Sequence, residues 1–344
     1  MVKTPIMTRN QNHDDRKRFK TCESGCVAPW SDVNHDVLFL VMMQLGVVDF
    51  VAFSGVCKSW RSFAISNRKS LMACRPPMHM RISTDNLEDY CYLEDFEGKM
   101  LKTILPHSTG RTCVGLTCGY LILFGRKTKD FWLVNPITKH QLHFPAFPCL
   151  VADGNKFKGI LVFSSSKSGW LLVIIKPFYH EVWYSIAGEG VWNHVSSTYH
   201  ILDIHFLRGK IYTLNIDYHI REVGHLCELR LGLEPNLMLL EIKNFSKTNL
   251  LPLPEFVSSG DKLFVKRTFC VGDMCELDFG EMKWVCCEKA KEEYAFYGNN
   301  MGHYTVVKRE LWAGTNKSRK DTFKTVDMWY FPHDCLNVNL IDES

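Results

Sequence analysis

The sequence contains none of the short motifs that commonly mark catalytic or metal-binding sites. It has no phosphate-binding Walker loop, no G-x-G-x-x-G, no H-E-x-x-H and no G-x-S-x-G. Its 14 cysteines are irregularly spaced and include no C-x-x-C, so neither a zinc knuckle nor a thioredoxin-type site is indicated. We therefore predict no metal ion, no cofactor and no catalytic residue.

Long apolar segments and a charge of one sign are also absent. The longest apolar runs cover residues 37–43 and 170–175, far short of the roughly 20 residues that span a bilayer. The first 20 residues lack an apolar signal-peptide core. With 41 basic and 37 acidic residues, the chain has no electrostatic footprint for nucleic acid. We expect a protein of the nucleus or cytoplasm with reduced cysteines; a disulfide-bonded secreted protein is the less favoured alternative.

Residues 28–75 are instead rich in apolar helix signals, after a polar segment, 1–27, that we expect to be disordered. Ser31 and Asp32 are candidate caps for a first helix, whose residues 37–43 are all apolar. Gly46 suits a left-handed helix end, and Asp49 is a candidate cap for a second helix. Three short helices cannot make a deep core, so either the rest of the chain or another protein must cover them.

This stretch resembles an F-box. The family pattern has a Leu-Pro-x-Asp-Leu opening, a Leu before a short turn, an Asp, and a closing V-C-[KR]-x-W-R. The matching positions here are Val33, Asp36, Val37, Leu38, Leu45, Asp49, Val56, Cys57, Lys58, Trp60 and Arg61. Val33 replaces the usual Leu, and Asn34 stands where the family usually has Pro, so a pre-set φ angle is lost at the helix start.

From residue 96 onward the chain alternates short apolar runs with Gly, Pro or Asn turns, which predicts strands. Pro76-Pro77 marks the domain boundary, and residues 76–95 are expected to form a connector and a first β segment. Strand pairs that recur roughly every 40 residues favour a β-propeller of about six blades in residues 96–344; a β-sandwich followed by smaller β elements is the alternative. Trp170, Trp183, Trp192 and Trp284 are expected between blades.

Three stretches resemble the propeller-like C-terminal domain of a large plant F-box family: residues 135–138, 203–214 and 275–285. The combined resemblance implies an α+β protein, with a three-helix F-box followed by a mainly antiparallel β domain. It also implies the substrate-recognition subunit of an SCF-type ubiquitin ligase. Such a subunit binds a Skp-type adaptor and, through it, a cullin, while the β domain binds the substrate protein.

The residues that this resemblance assigns to the adaptor face or its direct support are Val33, Asn34, Val37, Leu38, Val41, Val56, Cys57 and Trp60. Two other functional classes stay open. In the first, the protein is a binding propeller outside the ubiquitin pathway, and its helices merely cap the β domain. In the second, it is a propeller enzyme, which requires ionisable side chains that converge on the central channel.

Overall fold

The structure, a computed structural model, divides into three N-terminal helices and a β domain. It describes residues 30–73, 78–83, 89–95, 98–148, 157–164, 169–217, 222–243, 254–259, 261–267, 274–287, 294–298, 304–308 and 325–330. All strand pairings among these residues are antiparallel. The expected α+β architecture is therefore confirmed. The leader, residues 1–27, lies outside the described residues.

The helices form a small domain with its own core. A 3-10 turn at Trp30–Asp32 precedes α1 (His35–Gln44), α2 (Val47–Ser54) and α3 (Lys58–Ala73). Side chains from all three helices meet in one buried cluster, to which every helix contributes large apolar groups. Its members are Leu38, Met42, Phe50, Phe53, Phe63, Ala64 and Leu71.

The cap of α1 is Asn34, not Ser31 or Asp32 as the sequence suggested. The Asn34 side-chain oxygen accepts a hydrogen bond from the Asp36 backbone N–H at 2.7 Å. Ser31 and Asp32 lie in the preceding 3-10 turn, where the Ser31 hydroxyl donates to the Asp32 carboxylate. The backbone φ of Asn34 is −55°, a value that proline also adopts. Asn34 thus keeps the backbone angle of the missing proline and adds a side-chain cap.

Two further helix-end predictions were wrong. Gly46 has a φ of −69°, so it is not left-handed; it precedes α2 as the N-cap residue, while Leu45 ends α1. Asp49 is not the cap of α2 but lies within its first turn. There its negative charge still favours the positive end of the helix dipole.

The β domain contains 21 strands in the described part of the chain, which form five hydrogen-bonded sheets. We divide the seven-stranded sheet into two blades, which gives six sets. The first set, blade 1, contains β21 (Thr325–Tyr330), β1 (Met78–Ser83), β2 (Tyr90–Glu94) and β3 (Met100–Ile104). Blade 2 contains β4 (Arg111–Thr117), β5 (Tyr120–Gly125), β6 (Phe131–Val134) and β7 (Gln141–Phe144). The expected connector, residues 76–95, therefore supplies two strands of blade 1, and β21 comes from the far end of the sequence.

Blades 3 and 4 share one continuous sheet. Its strands are β8 (Lys158–Ser164), β9 (Gly169–Ile175), β10 (Tyr179–Ile186), β11 (Asn193–Leu207), β12 (Lys210–Asp217), β13 (Glu222–Arg230) and β14 (Asn236–Leu240). The 15-residue β11 pairs mainly through residues 193–196 with β10 and through residues 200–207 with β12. Its first part therefore completes blade 3, and its second part begins blade 4.

The remaining strands complete the ring. Blade 5 contains β15 (Pro254–Ser259), β16 (Lys262–Arg267), β17 (Met274–Asp278) and β18 (Lys283–Cys286). Blade 6 is described by β19 (Tyr294–Gly298) and β20 (Tyr304–Lys308). Strand β20 contacts β15, and β19 contacts β21 of blade 1. The six sets agree with the expected β-propeller of about six blades.

Apolar clusters fill the spaces between consecutive blades. One joins blades 1 and 2, and similar clusters lie between blades 2 and 3, 3 and 4, and 4 and 5. Trp170, Trp183 and Trp192 pack against the cluster between blades 2 and 3, and Trp284 is buried in the one between blades 4 and 5. The prediction that these tryptophans lie between blades is confirmed. On the helical side, Val47 of α2 belongs to the cluster of blades 1 and 2.

A buried ionic network links three blades. The Lys158 ammonium lies 3.1 Å from Asp203 Oδ1 and 3.4 Å from Glu255 Oε1, on strands β8, β11 and β15. Asp203 also accepts backbone hydrogen bonds from Ile204 and from Phe256, both at 2.8 Å. Burial alone would lower the pKa of Lys158, but the two carboxylates raise it. The network therefore joins blades 3, 4 and 5 through ion pairs.

His205 follows Asp203 on the same face of β11, because alternate strand residues share a face. Its Nε2 atom is shielded from solvent and has no hydrogen-bond partner in the described part of the chain. Burial lowers the pKa of His205 to about 4; the Lys158 charge acts in the same direction, and the Asp203 charge opposes it. The imidazole is therefore neutral at pH 7.

Replacement of Asn34 by Ala should destabilise the helical domain by about 1 kcal/mol, because the Asp36 N–H loses its capping acceptor. Asn34→Asp should retain the stability, because a carboxylate caps equally well and favours the helix dipole. Urea denaturation followed by circular dichroism compares the two variants with the unmodified chain. Equal loss of stability in both variants would contradict the capping role.

Stability should fall between pH 7 and pH 5 because of His205. An unfolded histidine binds a proton near pH 6.5, whereas His205 in the fold does so only near pH 4. The unfolded state therefore binds more protons in this range, and the fold should lose about 2 kcal/mol by pH 5. Urea denaturation of His205→Gln, which does not titrate, should show a correspondingly weaker loss. The same pH dependence in both proteins would exclude His205 as its source.

Candidate functional site

The outward side of α1 is an uncovered apolar stripe. Val37, Leu40 and Val41 are 49%, 67% and 42% exposed. They lie at positions i, i+3 and i+4, so they share one face of the helix. On the opposite side Leu38 and Met42 are 1% and 0% exposed and belong to the helical core. A helix that is apolar on all sides is thus covered on one side only among the described residues.

Further apolar side chains of the helical domain are exposed as well. Among the described residues, half of the exposed large hydrophobic side chains lie between residues 30 and 65. They are Trp30, Val37, Phe39, Leu40, Val41, Val48, Val56 and Ile65. Exposed apolar surface concentrated in so small a domain indicates a contact with another molecule.

Trp60 holds the 3-10 turn against the start of α3. Its indole N–H donates a hydrogen bond of 2.7 Å to the Trp30 carbonyl oxygen. Its ring packs edge-on against the Trp30 ring at a centroid distance of 5.9 Å and against Phe53 at 4.6 Å. Trp60 is itself half-buried, so it presents the exposed Trp30 ring and anchors it to the core.

Cys57 has a structural role at the entry of α3. Its carbonyl oxygen accepts a hydrogen bond from the Arg61 N–H at 3.0 Å, and its Sγ atom accepts one from the Trp60 N–H at 3.5 Å. These are the contacts of an N-cap residue, with sulfur in place of the usual oxygen. The neighbouring Val56 side chain is 49% exposed and precedes the helix.

The residues predicted for the adaptor face thus fall into two groups. Val37, Val41 and Val56 are exposed apolar side chains. The other five support the surface: Leu38 is buried, Val33 and Trp60 pack against the helical core, and Asn34 and Cys57 cap helices. The exposed apolar side chains of the helical domain that the sequence prediction did not include are Trp30, Phe39, Leu40, Val48 and Ile65. For Leu40, its helical spacing of three from Val37 was the available signal.

The described residues show no group of three or more His, Cys, Asp or Glu side chains that could hold a metal ion. Two pairs of histidines that are close in sequence, His140 with His143 and His200 with His205, have different partners. His140 Nδ1 lies 2.8 Å from the Tyr120 hydroxyl, and His143 Nε2 lies 3.3 Å from Asp130. The ring centroids of His200 and His180 lie 3.8 Å apart in a tilted arrangement, while the Nε2 atom of His205 is shielded from solvent.

Lys158, Asp203 and Glu255 bring ionisable side chains from three blades together. Lys158 and Asp203 are 8% and 5% exposed, and both are engaged in ion pairs or backbone hydrogen bonds. A catalytic group must be able to reach a substrate. These contacts therefore indicate that the network joins neighbouring blades, and they give no support to the enzyme alternative. No helix in the described residues is long and apolar enough to span a membrane.

Several solved structures match the chain weakly. A protein of unknown function from Bacteroides caccae is 10% identical, with a TM-score of 0.35 over 61% of this chain and 72% of that one. Dihydro-heme d1 dehydrogenase NirN in complex with DHE is 7% identical, with a TM-score of 0.37 over 58% and 42%. YCF48 bound to D1 peptide is 8% identical, with a TM-score of 0.38 over 75% and 91%. At such low scores these likenesses carry no argument about function, and this chain spans less than half of NirN.

Family models give a direct assignment. No curated protein matches the chain. The F-box domain model matches residues 30–70, which hold the 3-10 turn and most of the three helices. The KIB1-4 beta-propeller model matches residues 86–315, about two thirds of the chain. The chain therefore belongs to the KIB1-4 beta-propeller family and carries an F-box domain in front of the propeller.

Proposed function

We propose that this protein is the substrate-recognition subunit of an SCF-type ubiquitin ligase. Its F-box would bind a Skp-type adaptor and, through it, a cullin, while the propeller would bind the protein to be ubiquitinated. F-box domains generally bind Skp-type adaptors, which supports this kind of partner. The observation that carries the proposal is the apolar stripe of Val37, Leu40 and Val41 on α1.

The stripe has the physical properties of a protein-binding surface. It is made of aliphatic side chains on a rigid helix, and the exposed Trp30 ring adds a large aromatic group within the same domain. Aromatic and aliphatic anchors buried at the centre of an interface commonly supply most of its binding free energy. An adaptor that covers these side chains would remove them from water. This transfer is favourable by about 25 cal/mol of free energy for each Å² of apolar area that is buried.

In this role the protein makes and breaks no bonds. The propeller would hold a substrate lysine near the thioester of a ubiquitin-charged enzyme that the cullin brings to the complex. Holding two reacting groups together raises their effective concentration, which accelerates transfer without a catalytic residue in this chain. We also propose the nucleus or the cytoplasm as its location, because an SCF-type ligase assembles in those compartments by resemblance to the family.

The alternative is a propeller outside the ubiquitin pathway whose helices cap the β domain. The packing of Val47 into the cluster of blades 1 and 2 is the observation that favours it. Val47 belongs to this cluster, yet Val37, Leu40 and Val41 on α1 remain exposed in the same structure. A cap would leave these side chains without a function, so we favour adaptor binding.

Binding to a purified Skp-type adaptor tests the proposal. The double variant Val37→Glu with Leu40→Glu should weaken binding of the full chain at least tenfold, since two charges would be buried in an apolar interface. Both side chains are about half exposed or more, so the helical fold should persist. Leu38 is unsuitable as a test site because it lies in the core.

Leu239→Glu provides a matched control, because this leucine is 46% exposed but lies on β14 of the propeller. It should bind the adaptor like the unmodified chain, as measured by calorimetry or co-purification. Circular dichroism should show the same helix content in all three proteins. Failure of the unmodified chain to bind, or equal binding by the double variant, would exclude the proposed interface.

A further inference from the structure

We propose that Cys275 and Cys286 form a redox-active dithiol on blade 5 that closes to a disulfide under oxidising conditions. The two residues are direct cross-strand partners in the antiparallel pair of β17 and β18. Their Sγ atoms lie 3.2 Å apart, and no disulfide joins them in this structure. This pair is separate from the adaptor surface, so the inference does not depend on the proposed function.

The backbone already has the geometry that a disulfide needs. Direct partners in antiparallel strands have Cα atoms about 4.5–5.5 Å apart. Disulfides are found at Cα separations of about 4.4–6.8 Å. The two sulfur atoms therefore need to approach by only about 1 Å to reach bonding distance, which side-chain rotation supplies. No rearrangement of the hairpin is required.

Among the described cysteines Cys286 is the exposed one, and Cys275 is half-buried, as are Cys57 and Cys287. By contrast, Cys91, Cys113 and Cys227 are buried. Burial raises the pKa of Cys91 and of Cys113 to about 12, which keeps these two as unreactive thiols. Because Cys286 is exposed, an oxidant would reach it before it reaches the buried cysteines.

Hydrogen peroxide is a sufficient oxidant for the reaction. The Cys286 thiolate attacks one peroxide oxygen, forms a sulfenic acid at Sγ, and the leaving hydroxide departs as water with the proton from the thiol. The Cys275 thiolate then attacks this sulfur, the S–S bond forms, and a second water leaves with the proton of Cys275. Two thiols and one peroxide thus give one disulfide and two waters.

Cys287 provides a matched control within the same segment. It follows Cys286 directly, so along an extended chain its side chain points to the opposite face. Its backbone N–H donates to the Met274 carbonyl at 2.8 Å, which places it beside Met274 and not beside Cys275. Burial raises the pKa of the Cys287 thiol. It should therefore remain reduced while its neighbour is oxidised.

The position of the pair gives the bond a structural consequence. Cys275 and Cys286 lie on the same hairpin face as Leu277 and Trp284, which are also direct partners and are buried between blades 4 and 5. The turn of this hairpin accepts a hydrogen bond from the Lys243 N–H of the segment after β14, through the Met282 carbonyl. A disulfide would link β17 covalently to β18. This hairpin forms the blade 5 side of the contact between blades 4 and 5.

Peptide mapping of the full chain tests the proposal. The reduced protein is treated with hydrogen peroxide, the remaining thiols are alkylated in denaturant, and the chain is digested with trypsin. Cleavage after Arg267, Lys283 and Lys289 separates the two cysteines onto different peptides. We expect these peptides to be linked before reduction and separate after it. Cys286→Ser should lower the yield of the linked form at least tenfold, while Cys287→Ser should leave it unchanged.

Phenylarsine oxide, which binds pairs of adjacent thiols, gives a second measurement that does not depend on oxidation. The unmodified chain and Cys287→Ser should each protect two thiols from alkylation at this site, and Cys286→Ser should protect none there. Because Cys286 is exposed, its replacement should not unfold the blade. A linkage that involves Cys287 or Cys270, or retention of both thiols at excess peroxide, would overturn the proposal.

Discussion

The pairing of β21 with β1 is the contact on which the arrangement of the whole molecule depends. It joins residues 325–330 to residues 78–83, so the two ends of the β domain form one sheet. Tyr330 is fully buried in the cluster between blades 1 and 2, and its hydroxyl donates to the Gly119 carbonyl of the next blade. The ring therefore closes through backbone hydrogen bonds and apolar packing at the same place. Val47 of the helical domain belongs to this cluster too.

Ring closure by distant segments explains why local hairpins could be predicted from the sequence and long-range strand pairings could not. The hairpin of β17 and β18 was predictable, because apolar residues at alternate positions flank a local turn. The role of residues 76–95 was not, because the partner of β1 lies some 250 residues further along the chain. The 15-residue β11 belongs to two blades, because its first part pairs mainly with β10 and its second part with β12.

The candidate site was predictable in position but not in detail. The V-C-K-S-W-R close and the Asp36-Val37-Leu38 opening located the domain correctly, as the family model confirms. Residues 37–43 are all apolar, however, so sequence alone could not tell which side of α1 faces the core. The core is set by Phe50, Phe53 and Phe63 on the other two helices, which bury Leu38 and Met42 and leave Leu40 outside. Caps were misassigned for a related reason, since Ser31, Asp32 and Asn34 all have suitable side chains and the extent of the 3-10 turn decides among them.

The stripe on α1 exposes apolar side chains to water, whereas the ionic network buries charged ones. Burial of Lys158, Asp203 and Glu255 costs desolvation free energy that well-packed apolar side chains would not cost. The charges favour one arrangement of the blades over others, because the three side chains come from three different blades. A ring in which blade 4 or blade 5 packed out of register would leave Lys158 buried without a counter-charge, at a cost of about 3–5 kcal/mol. The network therefore favours one arrangement of blades 3 to 5, while the helical domain keeps its apolar surface available for a partner.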